Sequence, residues 1–289
     1  MEHFRVSERR ACRVVGQHRS TQRLARRVRD DEPALVKRML ALSAKHPRHG
    51  YRFIAAMLRD EGFRANSKRI WRLWRREGLK VPRHAKKRRR LGSAGNGIPR
   101  KRAGRPNHVW SWDFVFDTTS RGKTLKWLVV VDEFTRECLV LHVAHNLKSE
   151  DVIDQVAALM VRRGAPEYIR SDNGPEFIAK ALRDWLGRMN VATLYIEPGA
   201  PWQNAYVESF NSRFRDEFLC GEIFDHVLEA RALSAAWRED YNRVRPHSAL
   251  GYQTPEVFAA ACAQAACATL QQPAHKLKEA TLTRITGGP

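Results

Sequence analysis

The chain is poor in what would place it in a membrane or outside the cell. No apolar run approaches the ~18 residues of a spanning helix, and the opening stretch, MEHFRVSERRACRVV, has no apolar core of the kind a signal peptide carries. The five cysteines, Cys12, Cys138, Cys220, Cys262 and Cys267, include no Cys-x-x-Cys pair. That argues against a zinc finger, and an odd, scattered set argues against a disulfide framework. Free thiols in a reducing cytoplasm are the expectation. Heptads are missing too, so no coiled coil is predicted.

Acidic residues are scarce in one place only. Through Pro106 there are 8 Asp and Glu against 32 Lys and Arg, whereas the rest of the chain has 23 against 20. The net charge of +21 therefore belongs to a basic arm attached to a slightly acidic body. Such a field selects polyanions, with nucleic acid well ahead of an anionic membrane surface. A length of 289 residues leads us to expect two or three small domains.

Within the arm, residues 1–30 read as a short basic helical segment, with Ser7 capping a helix that Gly16 ends. Helices are predicted at Ala34–Ser43, Tyr51–Arg59 and Ser67–Arg76, with a turn at Glu61-Gly62. Helix, glycine-containing turn, helix predicts an all-α helix-turn-helix DNA-binding domain over 31–82. In SKRIWRLWRREG, Ile70, Trp71, Leu73 and Trp74 gather on one side, and Lys68, Arg69, Arg72, Arg75 and Arg76 on the other. The basic side suits a phosphate backbone. A solvated helix with no DNA role is the competing reading, but the whole arm is basic and not one face alone. Residues 83–107 combine Lys86, Lys87, Arg88, Arg89 and Arg90 with Gly and Pro, a basic flexible linker able to track DNA without reading its sequence.

From Val109 the pattern changes. Strands are expected at Val109–Phe116, Lys126–Asp132 and Glu137–Ala144, then a helix at Ser149–Arg163, a strand at Glu167–Arg170, a helix at Pro175–Met189 and a strand at Ala192–Ile196. A Pro/Gly-rich loop, Glu197–Pro201, leads into a helix from Gln203 to Phe218. A meander followed by alternating helix and strand is the order of a ribonuclease-H-like α/β sheet. This core is expected to span 108–260, with a C-terminal tail over 261–289.

Three acids stand at well-framed positions. Asp113 lies among aromatic residues in a central strand, where a carboxylate is costly unless paired or metal-bound. Asp172 ends a strand, at the edge where open α/β sheets gather ligands. Glu208 borders a stripe of Val207, Phe210, Phe214 and Phe218, beside Asn204, Asn211 and Arg215. Each also has an ordinary reading: a solvated strand face, an Asp-Asn-Gly-Pro turn, an amphipathic helix. With 31 acidic residues in the chain, spacing alone decides little. Asp117, Asp132 and Glu133 read as turn or surface residues, Glu176 as a first-turn helix acid, and His247 as a turn residue or phosphate contact.

The local sequences are more specific. WSWDFV, RSDNGPEF, PGAPWQNAYVESFNSRFRDEF and YNRVRPHSALGYQTP closely resemble the catalytic domain of DDE insertion-sequence transposases. Within these the match is to the integrase-like insertion sequence three family, in its second reading-frame product. The 35 residues between Asp172 and Glu208, and Arg215 seven positions after the Glu, fit that pattern. HPRHGYRFIAAMLRDEGFRANSKRIWRLWRREGL resembles the helix-turn-helix segment of the same family, so the likeness covers about residues 7–258. It implies that Asp113, Asp172 and Glu208 are the catalytic ligands of two Mg²⁺ ions, replaceable by Mn²⁺, with Asp113 bridging. It further implies Arg215 and Asn211 near DNA, and terminal-repeat and target DNA as partners. A homo-multimer on DNA is implied as well, with an upstream-frame product as fusion or partner, in a bacterial cytoplasm at the nucleoid. Two other classes compete: a catalytically inactive DNA-binding regulator, and a nuclease acting on RNA–DNA hybrids, which leaves the basic arm unexplained.

Overall fold

The computed structural model describes residues 6–24, 29–82, 101–196 and 204–271. The basic run at 86–90 and the loop at 197–201 lie outside the described residues. The chain divides into two compact units, Met1–Pro47 and Arg48–Pro289, so the division falls inside the segment 31–82.

The first unit holds α1 (Glu8–Val15), α2 (Arg19–Gln22) and α3 (Glu32–Lys45). Ser7 caps α1 by accepting from the Arg10 N–H, and Gly16 leaves the helix at φ +69°. On α3, Leu35, Met39 and Leu42 recur at helical spacing and are buried.

The second unit begins with α4 (Tyr51–Asp60) and α5 (Ser67–Arg76), which pack together. Asn66 caps α5 through the Lys68 N–H. Ile54 and Leu58 of α4 and Ile70, Leu73 and Trp74 of α5 form the buried side. Two residues depart from the expected faces. Trp71 is 42% exposed, with the Arg75 guanidinium 5.2 Å from its ring centre. Arg69 is buried, because it sits one turn before Leu73 and so borders the inner stripe. Lys68, Arg72, Arg75 and Arg76 remain exposed.

The rest of this unit is a five-stranded sheet. Its strands are β1 (Val109–Thr118), β2 (Thr124–Asp132), β3 (Cys138–Ala144), β4 (Tyr168–Ser171) and β5 (Ala192–Tyr195), in spatial order β3-β2-β1-β4-β5. β1–β2 and β2–β3 are antiparallel; β1–β4 and β4–β5 are parallel. Alternation along β1 sends neighbouring side chains to opposite faces. Trp110 and Trp112 join Val152 and Val156 of α6 (Ser149–Arg163) and Leu182 of α7 (Lys180–Arg188). Val115 points the other way, to Val207, Phe210 and Phe214 of α8 (Ala205–Phe214) and to Ala230 and Tyr241 of α9 (Val227–Arg243).

The free edge of β3 is sealed by α9. Asn242 accepts from the Cys138 N–H at 2.9 Å and donates to its carbonyl at 3.0 Å, while Arg238 donates to the Leu139 carbonyl at 2.8 Å. Those bonds occupy groups that would otherwise recruit another strand. Beyond α8 the helix widens for one turn, with the Cys220 N–H donating to the Arg215 carbonyl at 2.8 Å in π spacing.

Two elements differ from expectation. α7 begins at Lys180 and not at Pro175. The Phe177 ring stacks on Trp112 at 5.0 Å and on Phe114 at 4.6 Å, and Glu176 accepts from Lys126 at 2.5 Å. These anchors hold the segment as a turn. The expected boundary at 260 falls inside α10 (Pro255–Gln271), whose alanine-rich sequence favours helix. Among the described residues no helix is long and apolar enough to cross a membrane.

Candidate active site

Asp113 sits on β1 opposite Val129 of β2, on the face covered by α8. On its other side β1 pairs with β4 from Val109–Tyr168 as far as Ser111–Arg170. Asp172, the first residue past the carboxyl end of β4, would fall level with Asp113, in the middle of β1, if that parallel register ran two residues further. Such a carboxyl end is where α/β sheets open a ligand crevice.

Each carboxylate is held by local structure. One oxygen of Asp113 accepts from the Phe114 N–H at 2.8 Å, and the other from the Asn211 side-chain amide of α8 at 2.7 Å. Asp172 accepts from the Gly174 N–H at 3.2 Å. A Cβ at Gly174 would lie 3.2 Å from that Asp172 oxygen and 3.4 Å from the Phe177 ring, so glycine lets the turn close. Glu208 is exposed on α8, and Arg215 is exposed at the start of the widened turn.

These groups act on one another. Burial, then the charges of Asp172 and Glu208, push the Asp113 carboxyl up to about 6, against the Phe114 N–H and the Arg215 charge, which pull it down. The fold thus brings Asp113, Asp172, Glu208 and Arg215 into one electrostatic neighbourhood, although they come from β1, the β4 turn and α8. Among the described residues no three His, Cys, Asp or Glu side chains are gathered closely enough to grip an ion as they stand. The donor set is nevertheless that of a hard divalent cation: carboxylate oxygens, one of them partly desolvated.

Several residues stand elsewhere than expected. Asn211, expected near DNA, is buried with its amide on Asp113. Its proximity to Glu208 in sequence was the available signal, but the partner lay across the sheet. Glu133, read as a turn or surface acid, is fully buried; Arg170 donates to it at 2.7 Å and Ser111 also bonds it. Asp132 accepts from the N–H groups of Asn107 and Phe134 at 2.8 Å and of Thr135 at 3.0 Å, a turn role as expected. His247 likewise forms a turn, its N–H donating to the Gln253 carbonyl at 2.9 Å. Lys68, Arg72, Arg75 and Arg76 stand on α5.

A mixed sheet in this order, with helices on both faces and Asp172 just past the carboxyl end of the strand beside β1, defines a ribonuclease-H-like catalytic domain of integrase type. Residues 103–201 and 189–255 match the family described as integrase core domain, and residues 29–88 match an HTH-like domain. The chain is 43% identical over 262 residues to the insertion element IS407 uncharacterized 31.7 kDa protein of Burkholderia multivorans, covering 90% of this chain and 92% of that one. It is 26% identical over 234 residues to transposase InsF for insertion sequence IS3A of Escherichia coli, covering 76% and 80%. A similarity in fold extends to the HTLV-2 integrase catalytic core domain in complex with magnesium, at 18% identity and TM-score 0.44, covering 55% of this chain and 99% of that one. The chain belongs to the insertion sequence three family of transposases.

Proposed function

We propose that the chain cleaves DNA at the ends of an insertion sequence and joins the freed strand to target DNA, in a reaction that depends on two Mg²⁺ ions. Asp113 would contribute to both ions, and Asp172 and Glu208 to one each. When bound, such ions activate the attacking oxygen and stabilise charge on the leaving one. Mn²⁺ would serve in their place.

The observation that supports this reading is a half-buried Asp113 carboxyl raised first by burial and further by the charges of Asp172 and Glu208, which come from separate elements. Asn211 fixes the Asp113 carboxylate from α8, and the Gly174 turn fixes Asp172. Arg215, on the side of α8 that bears Glu208, meets a phosphate near the scissile bond. In the first step water forms a bond to phosphorus and the P–O3′ bond breaks, the 3′ oxygen taking a proton. In the second, that 3′-hydroxyl attacks a target phosphodiester, forming a new P–O bond while the target's own P–O3′ bond breaks; the attacking hydroxyl gives up its proton to water and the released 3′ oxygen takes one up. No side-chain nucleophile is consumed. Lys68, Arg72, Arg75 and Arg76 of α5, with the run from Lys86 to Arg90, grip the backbone around the element end. Joining two ends to one target calls for a multimer of this chain on DNA, with an upstream-frame product fused or associated, in the bacterial cytoplasm.

The test is nicking of a duplex carrying the element's terminal inverted repeat. Wild-type protein should cut it with Mg²⁺, whereas D113N, D172N and E208Q should bind the duplex as wild type does and fail to cut. Mg²⁺-dependent cleavage persisting in any of the three rejects the assignment.

A further inference from the structure

Among the described residues β1 and β4 pair no further than Ser111–Arg170, so the sheet ladder itself does not tie Asp172 to Asp113. Another connection does. Asp172 accepts from the Gly174 N–H at 3.2 Å, and the Gly174 carbonyl accepts from the N–H groups of Phe177 at 2.9 Å and Ile178 at 3.0 Å. The Phe177 ring is 1% exposed and lies nearly parallel to two others, at 13° to Trp112 and 9° to Phe114. Those two residues flank Asp113 on β1, with their side chains on the α6 side of the sheet and the Asp113 carboxylate on the other. A single ring, five residues beyond one carboxylate, thus packs against both chain neighbours of the other.

The same turn is pinned a second time. Lys126 of β2 is buried, and its ammonium donates to Glu176 at 2.5 Å and to the Leu147 carbonyl at 3.2 Å, while standing 3.9 Å from the centre of the Phe114 ring. A buried ammonium keeps its charge only where a carboxylate and further acceptors answer it, and the ring beneath it adds to the hold. Burial of Phe177 would serve the core wherever the ring lay. Both anchors instead converge on Phe114, the residue after Asp113.

We propose that Phe177 and the Lys126–Glu176 pair are positioning residues that set the place of Asp172 relative to Asp113. None of the three touches the reacting atoms; each acts through the turn. On the reading that the two aspartates share divalent ions, on which this rests, ligands from separate strands need a fixed spacing. Groups packed behind such ligands supply it.

Titration calorimetry of Mn²⁺ into the full-length protein bound to terminal-repeat duplex tests this, alongside nicking rates. F177L, E176Q and K126M should each weaken Mn²⁺ binding at least about tenfold and lower kcat, with the KM for duplex unchanged. V156A on α6 trims the same core cluster away from the turn; it should melt lower and bind Mn²⁺ as wild type does. The Glu176 side chain is 28% exposed, so E176Q keeps the test valid even if F177L fails to fold. Wild-type Mn²⁺ affinity in F177L overturns the role of Phe177, and in E176Q that of the pair, while the two-ion reading stands. An equal loss in V156A would mean a general loosening and overturns both roles. Should wild type itself bind no Mn²⁺, the two-ion reading falls and the positioning roles fall with it.

Discussion

At the scale of single residues, Asp113 is held from several sides at once. It is half-buried, hydrogen-bonded on both oxygens, and repelled by two other carboxylates. Its folded pKa of about 6 lies above the ordinary 3.8. The native state therefore prefers the protonated acid: this stabilisation is complete below pH 3.8 and is lost as pH rises through about 6. In metal-free solution D113N should consequently melt higher than wild type at pH 7.5, with the gap shrinking towards pH 4, as scanning calorimetry would show. His247 has the opposite sign. Its folded pKa, near 2, lies below the unfolded 6.5. Stability is complete above pH 6.5 and declines below it, by up to about 1.4 kcal/mol per pH unit. Urea unfolding midpoints should fall with acid in wild type and fall less in H247Q.

At the scale of elements, the strands were readable because β-branched and apolar runs are bounded by clear turns; all five lie within two residues of expectation. What stayed hidden depends on pairing across the sheet. Pro175 and Glu176 look like the first turn of a helix, yet Phe177 is drawn into the Trp112–Phe114 stack and Glu176 to Lys126. Helical periodicity separated the two sides of α5 but misjudged Arg69 and Trp71, each near the border between them. The three carboxylates were legible as residues, whereas the Asn211 amide on Asp113 required knowing that α8 lies over β1. The Arg170–Glu133 pair was equally invisible, since its members are 37 residues apart. Because that pair is fully buried, R170M should leave an unanswered charge and cost about 3–5 kcal/mol in a denaturant titration. A loss below about 1 kcal/mol would mean Glu133 is neutral or solvated there.

At the scale of the whole molecule, charge and chemistry are segregated along the chain. The basic arm through Pro106 would supply sequence-independent grip on the proposed reading, and the body, with 23 acidic residues against 20 basic, carries the acids that would turn contact into chemistry. On the proposed reading, a positive arm would raise the local concentration of DNA against a body whose own acids repel it, and divalent cations would resolve that conflict at the three carboxylates. Counting bound ions tests this most directly, by electron paramagnetic resonance of Mn²⁺ titrated into the protein–duplex complex. Wild type should bind two spin-coupled Mn²⁺ ions, D172N and E208Q one each, and D113N neither tightly. Two coupled ions retained in D113N would contradict the account.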